Sequence, residues 1–441
     1  MRIFSFTLPI ILFVFFTLSQ FALAQGDTTL TFEQLSKKAT AGDMIAQNKL
    51  GMAYEFSQGT EVDYEKAVEW YQASVNQGLD DAQHNLGHMY WDGKGVEEDN
   101  KQAFILFEKA ASQGHTKSEF DLAVCYDDGL GVPIDDKKAV KWYRTSADKG
   151  LADAQHNLAY MYLEGEGVEK NIEQALGLFE KAAQQKFVQS QYKLALIYDF
   201  GGVVPEDNEL AVKWYRAAAE ENYEQAIHNL AVMHQDGEGV EKNLEQAFNL
   251  YGKAAKMGFT DSQVQLGYMY ANGIHAAKDN KLAFDWFMKA AQQDSPYGQY
   301  NIGVFYDKGL GVEQDFSLAR KWYKKAVAQN DPDAQYNLAY MYENGRGVKK
   351  NEKKAFKYYK LAAQQGDGDS MNNLGYLYLN GLGTKENNKL AYMWFILAEK
   401  AGDDLAAENK EIAASYVNIF ARKKMEKLAE ACLASNYKDC G

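Results

Sequence analysis

The chain has 441 residues, 46% of them hydrophobic, and carries a formal net charge of −14. That length exceeds what one globular core organises, so several domains or a repeat array is expected. The acidity argues against a general nucleic-acid binder, which needs a net basic face. Five prolines among plentiful Ala, Leu, Lys, Glu and Gln leave long stretches with nothing to break a helix.

Residues 1–24 read as a cleavable signal peptide. Arg2 supplies a positive charge, an apolar run extends from Ile3 to about Leu18, and Ala22-Leu23-Ala24 forms a small-x-small cleavage site. The alternative, an uncleaved signal anchor, is disfavoured by that motif. No cysteine follows the site, so a lipid anchor is not indicated. No later apolar run approaches the ~20 residues of a membrane helix. The mature chain is therefore expected in the periplasm or outside the cell, without a membrane span. Residues 25–42 contain a helical stretch, 31–41, that aligns with the second helix of the repeats below and serves as an N-terminal half-repeat cap.

From 43 to 402 the sequence repeats every thirty-six residues, ten times. Each unit opens with helix A. Its core column is Leu50, Leu86, Leu122, Leu158, Leu194, Leu230, Leu266, Ile302, Leu338 and Leu374, always followed by Gly or Ala. Four residues on stands Tyr, except for His234, and the i, i+4 spacing puts Leu and Tyr on one helix face. A loop follows, as in Gly93-Lys94-Gly95-Val96, whose paired glycines stop the helix and allow positive φ. The fifth unit reads Gly201-Gly202-Val203-Val204 and the seventh Gly273-Ile274-His275-Ala276, so the local geometry of both is expected to differ. Helix B carries an invariant Ala column from Ala67 to Ala391, an aromatic four residues later and a small residue three beyond that. Small residues let helix axes approach closely while the aromatics fill the grooves. A phosphate-cradling loop is excluded, since no strand precedes these glycines and no Lys-Ser/Thr follows them.

These columns, set out in Ala82-Gln83-x-Asn85-Leu86-Gly87-x-x-Tyr90, Gly93-x-Gly95-Val96 and Ala103-x-x-x-Phe107-x-x-Ala110-Ala111-x-x-Gly114, resemble the Sel-1-like repeat, a cousin of the tetratricopeptide repeat. The resemblance covers about 360 of the 441 residues. It implies an all-α, right-handed α-solenoid of antiparallel helix pairs, in a family of adaptors and scaffolds whose exported bacterial members serve envelope assembly, secretion or host interaction. One secreted branch carries a cysteine pair in every repeat and has been associated with penicillin binding. This chain lacks those pairs.

Within the array, helix B alternates Trp70, Trp142 and Trp214 with Leu106, Leu178 and Leu250, so the first six units form three matched pairs and the later ones differ. Residues 403–441 break the period and read as a C-terminal helical cap of two helices. The second is expected to turn Ile419, Met425, Leu428 and Ala429 to the array and Lys423, Lys424 and Lys427 to water. Cys432 and Cys440 are disulfide candidates, and Cys125 falls in a buried column as a small core hydrophobe.

No converging catalytic set stands in this pattern, and neither a cofactor nor a metal is expected. His84, His156 and His228 share a column but lie roughly 20 Å apart at one helix diameter per repeat, too far to share an ion. His84 and His88, at i and i+4, could chelate, but the sequence offers no evident third ligand. The candidate binding residues precede the core Leu: Asn85, Asn157, Asn229, Asn301, Asn337 and Asn373, amides that can both donate to and accept from a bound backbone. Inter-repeat bonding is the other reading of this column. Tyr160, Tyr268, Tyr340 and Tyr376, three residues further on, would add aromatic contacts on the concave face that the resemblance implies. Arg320, Lys321, Lys324, Lys325, Lys353 and Lys357 form a basic patch that would suit an anionic partner such as an envelope polysaccharide; a merely solvated convex face is the other reading, and the favoured one. The expected function is an exported, non-enzymatic scaffold for a protein or peptide partner. The alternative is a binder or hydrolase directed at cell wall or polysaccharide.

Overall fold

The computed structural model describes residues 30–437 and residue 440, so the expected signal segment lies outside the described residues. Among these residues the chain forms twenty-three helices and no strand. They fall into two compact units, one ending at Leu178 and the other beginning at Phe179.

The first unit holds α1 (Phe32–Thr40), α2 (Met44–Glu55), α3 (Tyr64–Val75), α4 (Asp80–Asp92), α5 (Asn100–Ser112), α6 (Thr116–Asp128), α7 (Asp136–Asp148) and α8 (Ala152–Glu164). Helix α9 (Ile172–Gln184) contains the division. The second unit continues with α10 (Val188–Phe200), α11 (Asn208–Glu220), α12 (Glu224–Asp236), α13 (Leu244–Met257), α14 (Thr260–Asn272) and α15 (Asn280–Gln292). It then runs through α16 (Pro296–Lys308), α17 (Phe316–Ala328), α18 (Pro332–Asn344), α19 (Glu352–Ala363), α20 (Gly368–Asn380) and α21 (Asn388–Lys400), and ends with α22 (Ala406–Ser415) and α23 (Ile419–Ala434). From α2 to α20 the even helices are A and the odd ones, through α21, are B. From α1 to α8 and from α10 to α22 each helix packs on its successor, as in an α-solenoid, and α23 packs back on α21.

Local chemistry sets the helix ends. Each described helix B start uses Asp or Asn, as where the Asp99 carboxylate accepts from the Lys101 and Gln102 amides and Asp315 accepts from Ser317 and Leu318. Eight of the ten A helices stop on a left-handed glycine such as Gly93, φ 65°, whereas α2 ends on Phe56 and Gly201 after α10 takes a different conformation. Gly95 approaches the neighbouring repeat so closely that a Cβ there would collide with the Tyr64 carbonyl. In the seventh unit His275 takes that position at φ 64°, with its ring 5.3 Å from Phe248. The fifth unit moves its second left-handed residue one place earlier, to Gly202.

The ends are closed differently. Helix α1 opens with a capping box between Thr31 and Gln34 and buries Leu35 and Ala39 against Ala46, Leu50 and Ala53. At the other end α21 is buried from Ala391 to Ala398, because α20, α22 and α23 pack around it. In α23, Met425 and Ala429 are buried and Leu428 packs beside them, as expected. Ile419 is a correction: in the first turn, beside the Asn418 cap, it faces solvent together with Phe420. Cys432 and Cys440 are joined by a disulfide that ties the end of α23 to residue 440.

Candidate functional site

The asparagines before the core leucine form the rungs of an inter-repeat ladder. Asn85 Nδ2 donates to Asn48 Oδ1 at 2.9 Å, thirty-seven residues back on the preceding A helix. The same offset joins Asn229 to the Tyr192 hydroxyl at 3.4 Å, Asn337 to Tyr300, Asn373 to Tyr336, and Asn409 to Asn372 at 2.9 Å. Two asparagines depart from the ladder because their rung partner is apolar. Asn157, opposite Phe120, donates to the Tyr143 hydroxyl at 3.2 Å, and Asn301, opposite Val264, donates to the Tyr297 carbonyl of its own helix at 2.8 Å. Asn301 aside, these amides hold neighbouring repeats in register, at roughly 1 kcal/mol per bond.

The tyrosines three residues on are placed otherwise. Tyr268, Tyr340 and Tyr376 stand 53, 40 and 47% exposed on α14, α18 and α20. Tyr160 is half-buried, its ring 5.0 Å from His156. In the basic group Lys321, Lys324, Lys325, Lys353 and Lys357 are exposed on α17 and α19, and Arg320 is half-buried. Lys325 lies over the Trp322 ring at 4.2 Å and Lys357 over Tyr358 at 5.7 Å. Cys125 is buried, and burial together with Asp121 and Asp128 pushes its thiol up to about 12, far from the reactive range.

The first unit contains a further cluster, for which the sequence showed only two members. His84 and His88 lie one turn apart on α4, and Asp121 on α6 supplies a third donor, correcting the expectation that none exists. Asp121 occupies the ladder's asparagine column, thirty-seven residues after His84, so it is a rung with altered chemistry. Its Oδ2 lies 3.0 Å from His84 Nδ1 and 3.3 Å from His88 Nε2, and the three ligand atoms all lie within 4.8 Å of one another. That oxygen is buried between the two rings. The rings are fixed by packing: Phe107 lies 5.1 Å from His88, and Trp91 stacks on His88 at 5.8 Å. Ser118 Oγ sits 3.2 Å from His84 Nδ1 and 2.9 Å from His115 Nδ1. Burial holds the His84 imidazole below its ordinary value. For His88 burial is outweighed by Asp121, Asp92 and Glu55, which raise it. Asp121 comes down to about 2, the two imidazoles overcoming the cost of burial.

Ten consecutive matches to the Sel1 repeat model occupy 45–79, 80–115, 116–151, 152–187, 188–223, 224–259, 260–295, 296–331, 332–367 and 368–403. The chain belongs to the Sel1 repeat family. Among solved structures, this Sel1 repeat protein is similar to c5321, described as a protective antigen present in uropathogenic Escherichia coli strains. The identity is 30%, over 92% of this chain and 96% of that one, at a TM-score of 0.61. A Sel1 repeat protein from Oxalobacter formigenes is 29% identical over 74% of this chain and 93% of its own, at a TM-score of 0.57. No curated protein gives a significant match. Among the described residues no helix is long and apolar enough to cross a membrane.

Proposed function

We propose that this Sel1 repeat protein is an exported, non-catalytic scaffold that binds a protein or extended peptide partner through exposed faces of its A helices. The observation that carries the reading is the recurrence of exposed Tyr268, Tyr340 and Tyr376 at one repeat position of the second unit. Tyrosine offers large, stiff contact area with a polar tip, the chemistry of interface hot spots. Asn337 and Asn373, bonded to the preceding A helices, help keep α18 and α20 in register beneath this surface. Export is supported by the charge, apolar run and Ala22-Leu23-Ala24 site of residues 1–24.

A variant with Tyr268, Tyr340 and Tyr376 changed to Ala tests the surface. Because the rings are exposed, its melting temperature should stay close to that of the wild type. Affinity capture from an envelope extract, quantified by mass spectrometry, should lose a partner by at least about tenfold, the loss of one or two hot-spot contacts. Identical partner lists at equal recovery would remove these residues from the interface. N-terminal sequencing of the protein from its native host should begin at Gln25; a protein retaining Met1 would contradict cleavable export.

A further inference from the structure

We propose that His84, His88 and Asp121 bind a divalent transition-metal ion of the zinc class, which staples α4 of the second repeat to α6 of the third. Two imidazoles and one carboxylate are a ligand set that such ions accept. A tetrahedral ion with ligands at ~2.0–2.1 Å spaces those ligands roughly 3.3 Å apart. The Asp121 oxygen already stands 3.0 and 3.3 Å from the two nitrogens and all three ligand atoms lie within 4.8 Å, so an ion entering between them would draw the two imidazoles together.

Three further observations favour a ligand over a plain ion pair. The Asp121 Oδ2 is buried and has both imidazole nitrogens within 3.3 Å, so ligand atoms from two helices converge on one enclosed point. The site has an entrance, since the His88 side chain is 40% exposed while those of His84 and Asp121 are nearly enclosed. Packing by Phe107 and Trp91 fixes the His88 ring, so the donors are held in advance of binding. With three protein ligands, a fourth position facing that entrance is left for water or a side chain of a partner.

The repeat supplies its own control. The first histidine recurs as His156 and His228, but the positions of His88 and Asp121 are then filled by Tyr160 and Lys193, or by Val232 and Gln265. The complete set therefore occurs once in these three registers. His88→Tyr and Asp121→Asn introduce residues that the same columns already hold elsewhere in the array.

The test uses the purified chain, stripped with a chelator and titrated with Zn2+ by calorimetry and with Co2+ by visible absorption. Wild type is expected to bind one ion with a tetrahedral Co2+ spectrum, and Zn2+ should raise its melting temperature by mass action. His88→Tyr and Asp121→Asn should each weaken binding by about tenfold or more, whereas His228→Ala should bind as wild type does. Far-UV circular dichroism checks that the variants fold, and the wild-type titration reads the proposal by itself if one does not. Absence of saturable binding by wild type would overturn the site. Undiminished binding in both ligand variants, or an equal loss in His228→Ala, would overturn the assignment.

Discussion

At the scale of single residues, one atom decides whether a position is free or fixed. Gly78 and Gly95 both have positive φ, but a Cβ on Gly78 meets nothing within 4 Å whereas one on Gly95 strikes the Tyr64 carbonyl. Gly78→Ala should therefore cost only the backbone penalty, about 1–2 kcal/mol. Gly95→Ala should cost about 3 kcal/mol or more, since a packed backbone must also move. Urea denaturation of the two variants measures the difference, and equal losses would mean that the loop yields. Asp121 shows the limit of reading residues singly. In its column it looks like a polar variant of asparagine, and its meaning comes from His84 and His88 on another helix. The offset of thirty-seven residues that joins the Asn rungs was the signal that could have found it.

At the scale of the helix pair, a rule links helix A to helix B across sixteen residues. Wherever the helix B aromatic is Tyr, the partner position is Glu55, Asp127, Asp199, Gln235, Asp307 or Glu343; wherever it is Phe, the partner is Trp91, Leu163, Ala271 or Leu379. Four of the tyrosines donate to their carboxylate, as in Tyr143 to Asp127 at 2.9 Å, and Tyr251 donates to Gln235 at 3.3 Å. The hydroxyl is buried, so it needs an acceptor, and a ring without one does better beside an apolar side chain. Tyr143→Phe alone should destabilise by about 1–2 kcal/mol, and adding Asp127→Leu should recover most of it. The pair also sets a pH dependence. Burial raises the Asp127 carboxyl above its ordinary value, although the Tyr143 bond pulls the other way. A raised carboxyl binds its proton more tightly folded than unfolded, so its contribution to stability is present below the unfolded pKa and is lost as pH rises through the folded one. The double variant should thus gain on wild type as pH rises across the acid range, read as the difference in melting temperature; a constant difference would show that Asp127 titrates alike in both states.

At the scale of the whole molecule, a stack of repeats is stable only if its end faces are covered. Helix α21 shows what is at stake: Tyr392, Met393, Trp394, Phe395, Ile396 and Leu397 are consecutive and all buried. Removing residues 403–441 would bare the face now covered by α22 and α23. Such a truncation should aggregate or self-associate, seen by light scattering after gel filtration. A monomer that melts as the full chain does would show the cap to be dispensable. Reducing the Cys432–Cys440 bridge should act more mildly, because it closes a loop of only eight residues' separation at one end of the cap.

The sequence by itself determined the helices, their order, the ten repeats and the closed ends, because each follows from local spacing: i, i+4 stripes, glycine stops, and columns that return every thirty-six residues. The Asp and Asn caps of helix B were legible in the same way and needed only to be read as a column. Tertiary structure decided what distance along the chain conceals. It turned the asparagines into inter-repeat rungs, left Tyr268, Tyr340 and Tyr376 facing solvent, exposed Ile419, and brought Asp121 against two histidines. The physical reason is that a helix face is fixed by its own periodicity, whereas a partner on the next repeat is fixed only when two helices dock and their side chains compete for the same donors.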